Sequence, residues 1–232
     1  MAGMTKRKKE FQKIIEEGKV YSIEEAISLF KKAPRAKFDE TVELCFRLGA
    51  DPKQADQMVR GTVNLPHGTG KSVKVLVLCK GEGASAAKEA GADYVGGADL
   101  IQKISSGWID FDVVVSAPDM MRDVGKLGRI LGPRGLMPNP KTGTVTNDLA
   151  RAVKEAKAGR IEFKIDKQGN INVGVGKISF EEKAICENAN TVIKTIDKAR
   201  PHGTKGKFIK SVFVATTMGP GLQLDLAKLG TT

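Results

Sequence analysis

Two hydrophobic periods alternate along this chain, and the points where one gives way to the other mark out its elements. Ile23, Ala26, Ile27 and Phe30 recur at helical spacing behind Ser22 and Glu25, which form a capping box, so a helix is predicted to about Lys32, ahead of Pro34. The basic stretch before Ser22 predicts another helix. From Thr41 the period drops to two, with Val42, Leu44 and Phe46 on one face and Glu43 and Arg47 on the other. Arg60 to Leu65 alternates in the same way, and both read as half-buried strands.

At Pro66-His67-Gly68 the texture changes. Val73 to Cys79 is nearly continuous aliphatic sequence, followed by a glycine turn, the helix-like ASAAKEAG, Tyr94-Val95, a helix near Leu100 to Ile104 and a second aliphatic run at Val113 to Val115. Buried strands interleaved with helices indicate a parallel α/β unit. After a helix at Ala150 to Ala156, alternation returns at Ile161 to Ile165 and Ile171 to Val173. The turn residues Lys167-Gln168-Gly169-Asn170 lie between them, so a hairpin is predicted. Ser179 and Glu182 predict the cap of a long helix, and Phe208 to Thr217 a last strand, with Ser211, Phe213, Ala215 and Thr217 on one face and Val212 and Val214 on the other. The fold class that follows is a discontinuous α+β domain, residues 1–66 and 159–232, carrying an inserted α/β (Rossmann-like, parallel-sheet) domain, residues 67–158. Two crossings near Pro66 and Gly159 form a two-strand hinge.

The chain has 232 residues, enough for one large or two small domains, each with a substantial core. Lys and Arg number 38 against 27 Asp and Glu, a formal charge of +11, which favours a polyanionic partner. The excess is uneven: residues 67–158 hold 13 basic and 10 acidic side chains, and the rest of the chain 25 and 17, so the discontinuous domain is the expected electrostatic anchor. No apolar run reaches the roughly 20 residues of a membrane span. The basic N-terminus lacks the apolar core of a secretory signal, and a cytoplasmic protein is expected. Cys45, Cys79 and Cys186 lie inside apolar patterns and read as reduced core thiols. His67 and His202, both in proline-glycine turns, have no cysteine pair near them in sequence, so no metal site and no cofactor are expected.

Gly125 to Val145 packs five glycines, three prolines and four cations, Lys126, Arg129, Arg134 and Lys141, into a stretch with no carboxylate. Two readings stand: a glycine-rich loop that meets a polyanion, or an ordered connector whose Leu127, Ile130, Leu131, Leu136 and Met137 enter a core. Gly132 is a candidate for positive φ. HGTGKS at His67 to Ser72 fails as a phosphate-binding loop, because Leu65 occupies the required glycine position and a strand follows. Gly81-Glu82-Gly83 is a weak dinucleotide fingerprint that would set a carboxylate beside phosphates. No nucleophile is paired with a base.

Gly125 to Val145 resembles, nearly residue for residue, the signature of the ribosomal protein L1 family, found in the mobile side stalk of the large subunit. KFDETVEL at Lys37, DQMVRGTVNLPHGTGK at Asp56, EAGADYVGG at Glu89, AGRIEF at Ala158 and TTMG at Thr216 follow in the family's order. The resemblance implies a structural, non-enzymatic constituent of the large subunit that binds large-subunit rRNA. It also implies help in releasing deacylated tRNA from the exit site and repression of its own-operon mRNA, by a monomer outside the ribosome. It further implies an RNA surface made of Lys37, Phe38, Thr41, Lys164, Asp166, Lys167, Ser211, Thr217, Met218 and Gly219. Pro66, Gly132, Arg134, Lys141 and Gly159 are candidates for hinge or secondary RNA contact. Ile165 and Asn172 depart from the bacterial pattern, which commonly has asparagine and histidine there. The alternatives are a nucleotide-dependent enzyme built on the middle domain and a general basic RNA chaperone.

Overall fold

The computed structural model describes residues 6–16, 18–34, 36–80, 83–201, 203–204, 206–227 and 229. In chain order its elements begin with α1 (Lys6–Ile14), α2 (Ile23–Lys32), β1 (Thr41–Leu48) and β2 (Arg60–Asn64). They continue with β3 (Val75–Leu78), α3 (Gly83–Glu89), β4 (Tyr94–Gly96), α4 (Ala98–Ser105), β5 (Val113–Ser116), α5 (Met121–Val124), α6 (Gly128–Leu131) and α7 (Leu149–Lys157). β6 (Arg160–Lys164), β7 (Asn170–Lys177), α8 (Glu182–Lys198), β8 (Ile209–Thr216) and the short β9 (Leu222–Gln223) complete the chain. The chain folds into two compact units, residues 1–70 with 161–232, and residues 71–160.

The discontinuous unit is built on a four-stranded sheet in the order β7-β1-β8-β9, with β1 antiparallel to both neighbours. Val42, Leu44 and Phe46 of β1, Val173 and Val175 of β7, and Val212 and Val214 of β8 point to one face and are buried. There they share a core with Ile23, Ala26, Ile27 and Phe30 of α2 and with Ile185, Ala189, Val192, Ile193 and Ile196 of α8. The Ser22 capping box forms in both directions, at 3.2 and 3.1 Å, and holds α2 to the bounds its periodicity predicts.

Two local expectations are corrected here. β6 and β7 do not form a hairpin: the turn between them is present, with Gly169 at φ 85, but β6 pairs with β2 and β7 with β1. Turn chemistry specifies a reversal, while burial of Phe163 and Ile165 selects the partner strand. Ser179 does not cap α8. Glu181 occupies the N-cap without a side-chain bond, and the Ser179 hydroxyl donates instead to Asp39 at 2.7 Å.

The other unit holds a three-stranded parallel sheet, β4-β3-β5. Val75, Val77 and Val115 pack with Ala87 of α3 and with Leu149, Ala152, Val153 and Ala156 of α7. Leu76, Leu78 and Val114 pack with Leu100 and Ile104 of α4 and with Met120, Val124, Leu127 and Leu131. Both faces are covered, which is why the sequence of β3 is aliphatic without alternation. Part of the glycine-proline stretch is therefore helical: a 3₁₀ turn at Gly125–Leu127 leads into α6, and Leu127 and Leu131 are fully buried. Gly132 has φ −58, so its expected positive φ is corrected, and Gly135 and Gly143, at φ 72 and 65, take the left-handed positions instead. The i−4 carbonyl of Gly128 leaves no room for a Cβ at Gly132.

Candidate nucleic-acid interface

The face of the four-stranded sheet opposite the helices lacks a comparable apolar layer. Register places Thr41, Glu43, Cys45 and Arg47 of β1 in a row. Ala215, Phe213 and Ser211 of β8 lie opposite the last three, and Gly174, Asn172 and Asn170 of β7 flank them on the other side. Glu43, Arg47, Asn172 and Phe213 are exposed. Burial, and then the Glu43 carboxylate, push the Cys45 thiol above its ordinary range, so it stands on this face as a neutral thiol and not as a nucleophile. A strand rises about 3.3 Å per residue, so the row from Thr41 to Arg47 spans roughly 20 Å.

The candidate RNA residues collect at the two ends of this row. At the first end stands the turn after β8. The Thr217 hydroxyl accepts the Thr41 N–H at 3.0 Å, and the Thr217 N–H donates to the Thr41 carbonyl at 3.1 Å. The Met218 N–H donates to Glu40 Oε2 at 3.1 Å, and the Gly219 N–H to the Thr216 carbonyl at 3.0 Å. All three N–H groups of the turn are thus consumed. Among the described residues nothing donates to the Met218 or Gly219 carbonyl. A Cβ at Gly219 would strike the Thr216 hydroxyl, which accounts for glycine there. Phe38 and Met218, 54% and 60% exposed, are large apolar side chains left in solvent, and Lys37 is exposed beside Phe38.

The tripeptide Asp39-Glu40-Thr41 organises this end, although only Thr41 stands out in the sequence. Asp39 accepts from the Ser179 hydroxyl and N–H, while Lys177 Nζ donates to the Asp39 carbonyl and the Thr41 hydroxyl, both at 3.1 Å. Glu40, 3% exposed, accepts the N–H groups of Ala36 and Met218. Adjacency was the available signal: Asp39 and Glu40 directly precede a strand with one buried face, and a carboxylate adjoining a core has to be paired.

At the other end, Ser211 lies opposite Arg47. Asp166 accepts the N–H groups of Gln168 and Asn170, both at 2.8 Å, and the bond from Asn170 leads the causes that hold its carboxyl below the usual range. Its role is to shape the turn that presents Lys167. Lys164, Asp166 and Lys167 line a groove of about 560 Å³ with Pro52, Lys53 and the exposed Met58. Ile165 also lines this groove, although it is largely buried and donates its N–H to the Val59 carbonyl, whereas Asn172 is exposed on the open face. Arg134 and Lys141, both exposed, belong to the other unit with Gly132 and Gly159, the last at φ 102. Pro66 and His67 are exposed in the discontinuous unit, where His67 meets Glu187 at 2.6 Å. His202, Gly81 and Glu82 lie outside the described residues, and among those described no cluster could hold a metal ion. Cys79 is buried, and Cys45 and Cys186 are partly buried as free thiols.

The open sheet face thus carries a cationic groove at one end and an acceptor-rich turn at the other. The sequence matches the ribosomal protein L1p/L10e family over residues 29–220, and the chain belongs to that family. It is therefore a ribosomal protein and not an enzyme. It is 58% identical to the large ribosomal subunit protein uL1 of Persephonella marina (strain DSM 14350 / EX-H1), over 97% of this chain and 96% of that one. No described helix is long and apolar enough to cross a membrane.

Proposed function

We propose that the protein is a cytoplasmic constituent of the large ribosomal subunit that binds a folded segment of large-subunit rRNA through the open face of its discontinuous unit. The observation that carries this reading is the Thr216–Gly219 turn. The N–H groups of Thr217, Met218 and Gly219 are all used internally, and among the described residues nothing donates to the Met218 or Gly219 carbonyl, so these three residues can accept hydrogen bonds and cannot donate backbone ones. A surface of that kind repels phosphate oxygens and suits partners that donate. The 2′-hydroxyl is the donor every ribose offers. Cations at Lys37, Arg47, Lys164 and Lys167 supply the phosphate contacts around it.

The same surface, offered a messenger segment that imitates the rRNA site, would repress the protein's own mRNA. Placement on a mobile stalk would let the protein assist release of exit-site tRNA. We read the two units as domains joined by two crossings, the inserted one running from 71 to 160 instead of from 67 to 158. Asn188 accepts the His67 N–H and donates to the Gly68 carbonyl, which fastens the first crossing to α8, so we place its pivot beyond Gly70.

The test is a titration of the full chain with an rRNA fragment spanning the side-stalk base, beside a random RNA duplex of equal length at physiological salt. The expected preference is roughly 10³-fold or more, a specific margin over non-specific binding. Deoxyribose at the protected nucleotides should remove much of it. Equal affinity for both RNAs would instead identify a general basic RNA chaperone.

A further inference from the structure

We infer that Glu40 is a positioning residue for the RNA-binding face: its buried carboxylate fixes the Thr216–Gly219 turn against the loop bearing Lys37 and Phe38, and so sets the direction in which Phe38 and Met218 project. This rests on the rRNA-binding reading above.

Glu40 ties its own loop to two distant stretches of chain. Oε1 accepts the Ala36 N–H at 3.0 Å, Oε2 accepts the Met218 N–H at 3.1 Å, and its own carbonyl accepts the Ile178 N–H at 2.9 Å. Burying a carboxylate is costly, and packing alone would be served by a neutral side chain of the same volume. What only the carboxylate offers is two acceptors and no donor, facing two backbone N–H groups that converge from opposite ends of the chain. Glutamine satisfies one of them and turns an amide N–H toward the other. The two segments it joins carry Lys37, Phe38, Met218 and Gly219, four of the candidate RNA residues. Thr217 is tethered separately, by its hydroxyl and N–H to Thr41. Loss of Glu40 therefore loosens the turn at Met218 and Gly219 and leaves the end of β8 in place.

Glu40→Gln in the full chain is the direct test, read by rRNA affinity, melting temperature and hydrogen exchange at the Met218 amide. A buried donor left unpaired predicts an affinity loss of about 10- to 100-fold and faster Met218 exchange. Ile193→Val, a core change in α8 of the same unit, calibrates what lost stability alone does to affinity. If Glu40 acts through the turn, Glu40→Gln and Met218→Ala should not multiply, the double variant losing clearly less than the product of the two. Affinity equal to wild type, a loss no larger than Ile193→Val gives for the same drop in melting temperature, or fully multiplicative effects would each overturn the inference. Should Glu40→Gln fail to fold, an ester in place of the Thr217–Met218 amide deletes only the N–H that Glu40 accepts. The same affinity loss is expected, and unchanged binding would overturn the inference. A wild-type chain that does not prefer the rRNA fragment would overturn the RNA reading itself. Unchanged Met218 exchange in the free Glu40→Gln protein would overturn the positioning role alone.

Discussion

The two sheets of this protein use their faces differently. The parallel β4-β3-β5 sheet is covered on both sides, and its strands are aliphatic throughout. The antiparallel β7-β1-β8-β9 sheet packs α2 and α8 on one side and leaves Glu43, Arg47, Asn172 and Phe213 in solvent on the other. A sheet buried on both sides has no surface left with which to recognise anything, so its unit must contribute through loops and shape. A sheet with one open face can present a row of side chains held rigidly about 20 Å long, at no cost to the core behind it. The charge distribution runs the same way, with most of the cationic excess outside residues 67–158.

The largest expected effect separates the two units outright. Residues 1–66 joined to 159–232 should fold and retain most rRNA affinity, whereas 67–158 alone should bind roughly 10³-fold more weakly or worse, as non-specific binding does. In the full chain, Arg134→Gln and Lys141→Gln should then each leave the slope of log affinity against log salt nearly unchanged. A neutralised phosphate contact would reduce it by about 0.7 to 0.9. Tight binding by 67–158, or a full change in slope, would break the comparison.

Next comes a contrast within β1 and β8. Leu44, wholly buried on the covered face, should cost about 2–5 kcal/mol of stability on truncation to alanine. Phe213→Ala on the open face should cost under about 1 kcal/mol of stability and act on RNA affinity instead. Denaturant unfolding and RNA titration of both variants read the two faces separately, and an equal stability loss would remove the distinction.

Thr217→Val has a smaller, mixed outcome. Because the hydroxyl accepts the Thr41 N–H, valine should lower stability by about 1 kcal/mol and also weaken RNA binding by roughly five- to a hundredfold. Lost stability with unchanged affinity would make the hydroxyl a purely local tether.

The smallest effect is in acid. Asp93, Asp110 and Asp123 of the inserted unit have carboxyls held below the usual range, Asp93 chiefly by the Val75 N–H, Asp110 by Lys74 and Asp123 by Lys126. In the discontinuous unit Asp166 is held low in the same direction, chiefly by the Asn170 N–H. A depressed folded-state value gives stability that is present above the unfolded value near pH 4 and is lost as pH falls through the folded one. The inserted unit should therefore lose protection first on acidification, by a modest, salt-screened margin, when hydrogen exchange is followed in both units from pH 5 to pH 2. The opposite order would show that these pairs do not set acid stability.

Much of the element order was legible because local physics writes it into the chain. Ser22 and Glu25 close their capping box within three residues, β1 alternates because one of its faces is buried, and β3 does not because both of its faces are. The Asp166–Asn170 turn was legible for the same reason, since Asp166 bonds to its own near neighbours. Tertiary structure decided what depends on distant partners. β6 reads as half of a hairpin until β2 claims it, Ser179 reads as a cap until Asp39 takes its hydroxyl, and Gly125–Leu131 reads equally as a polyanion-facing loop or an ordered connector until burial of Leu127 and Leu131 decides for the connector and makes it helical. Glu40 is the clearest case. Its sequence context shows a carboxylate just before a strand, and only the return of the chain 178 residues later brings the Met218 N–H to it. A backbone N–H looks the same at every position in a sequence, so the pairing of one with a buried oxygen is settled by the fold alone.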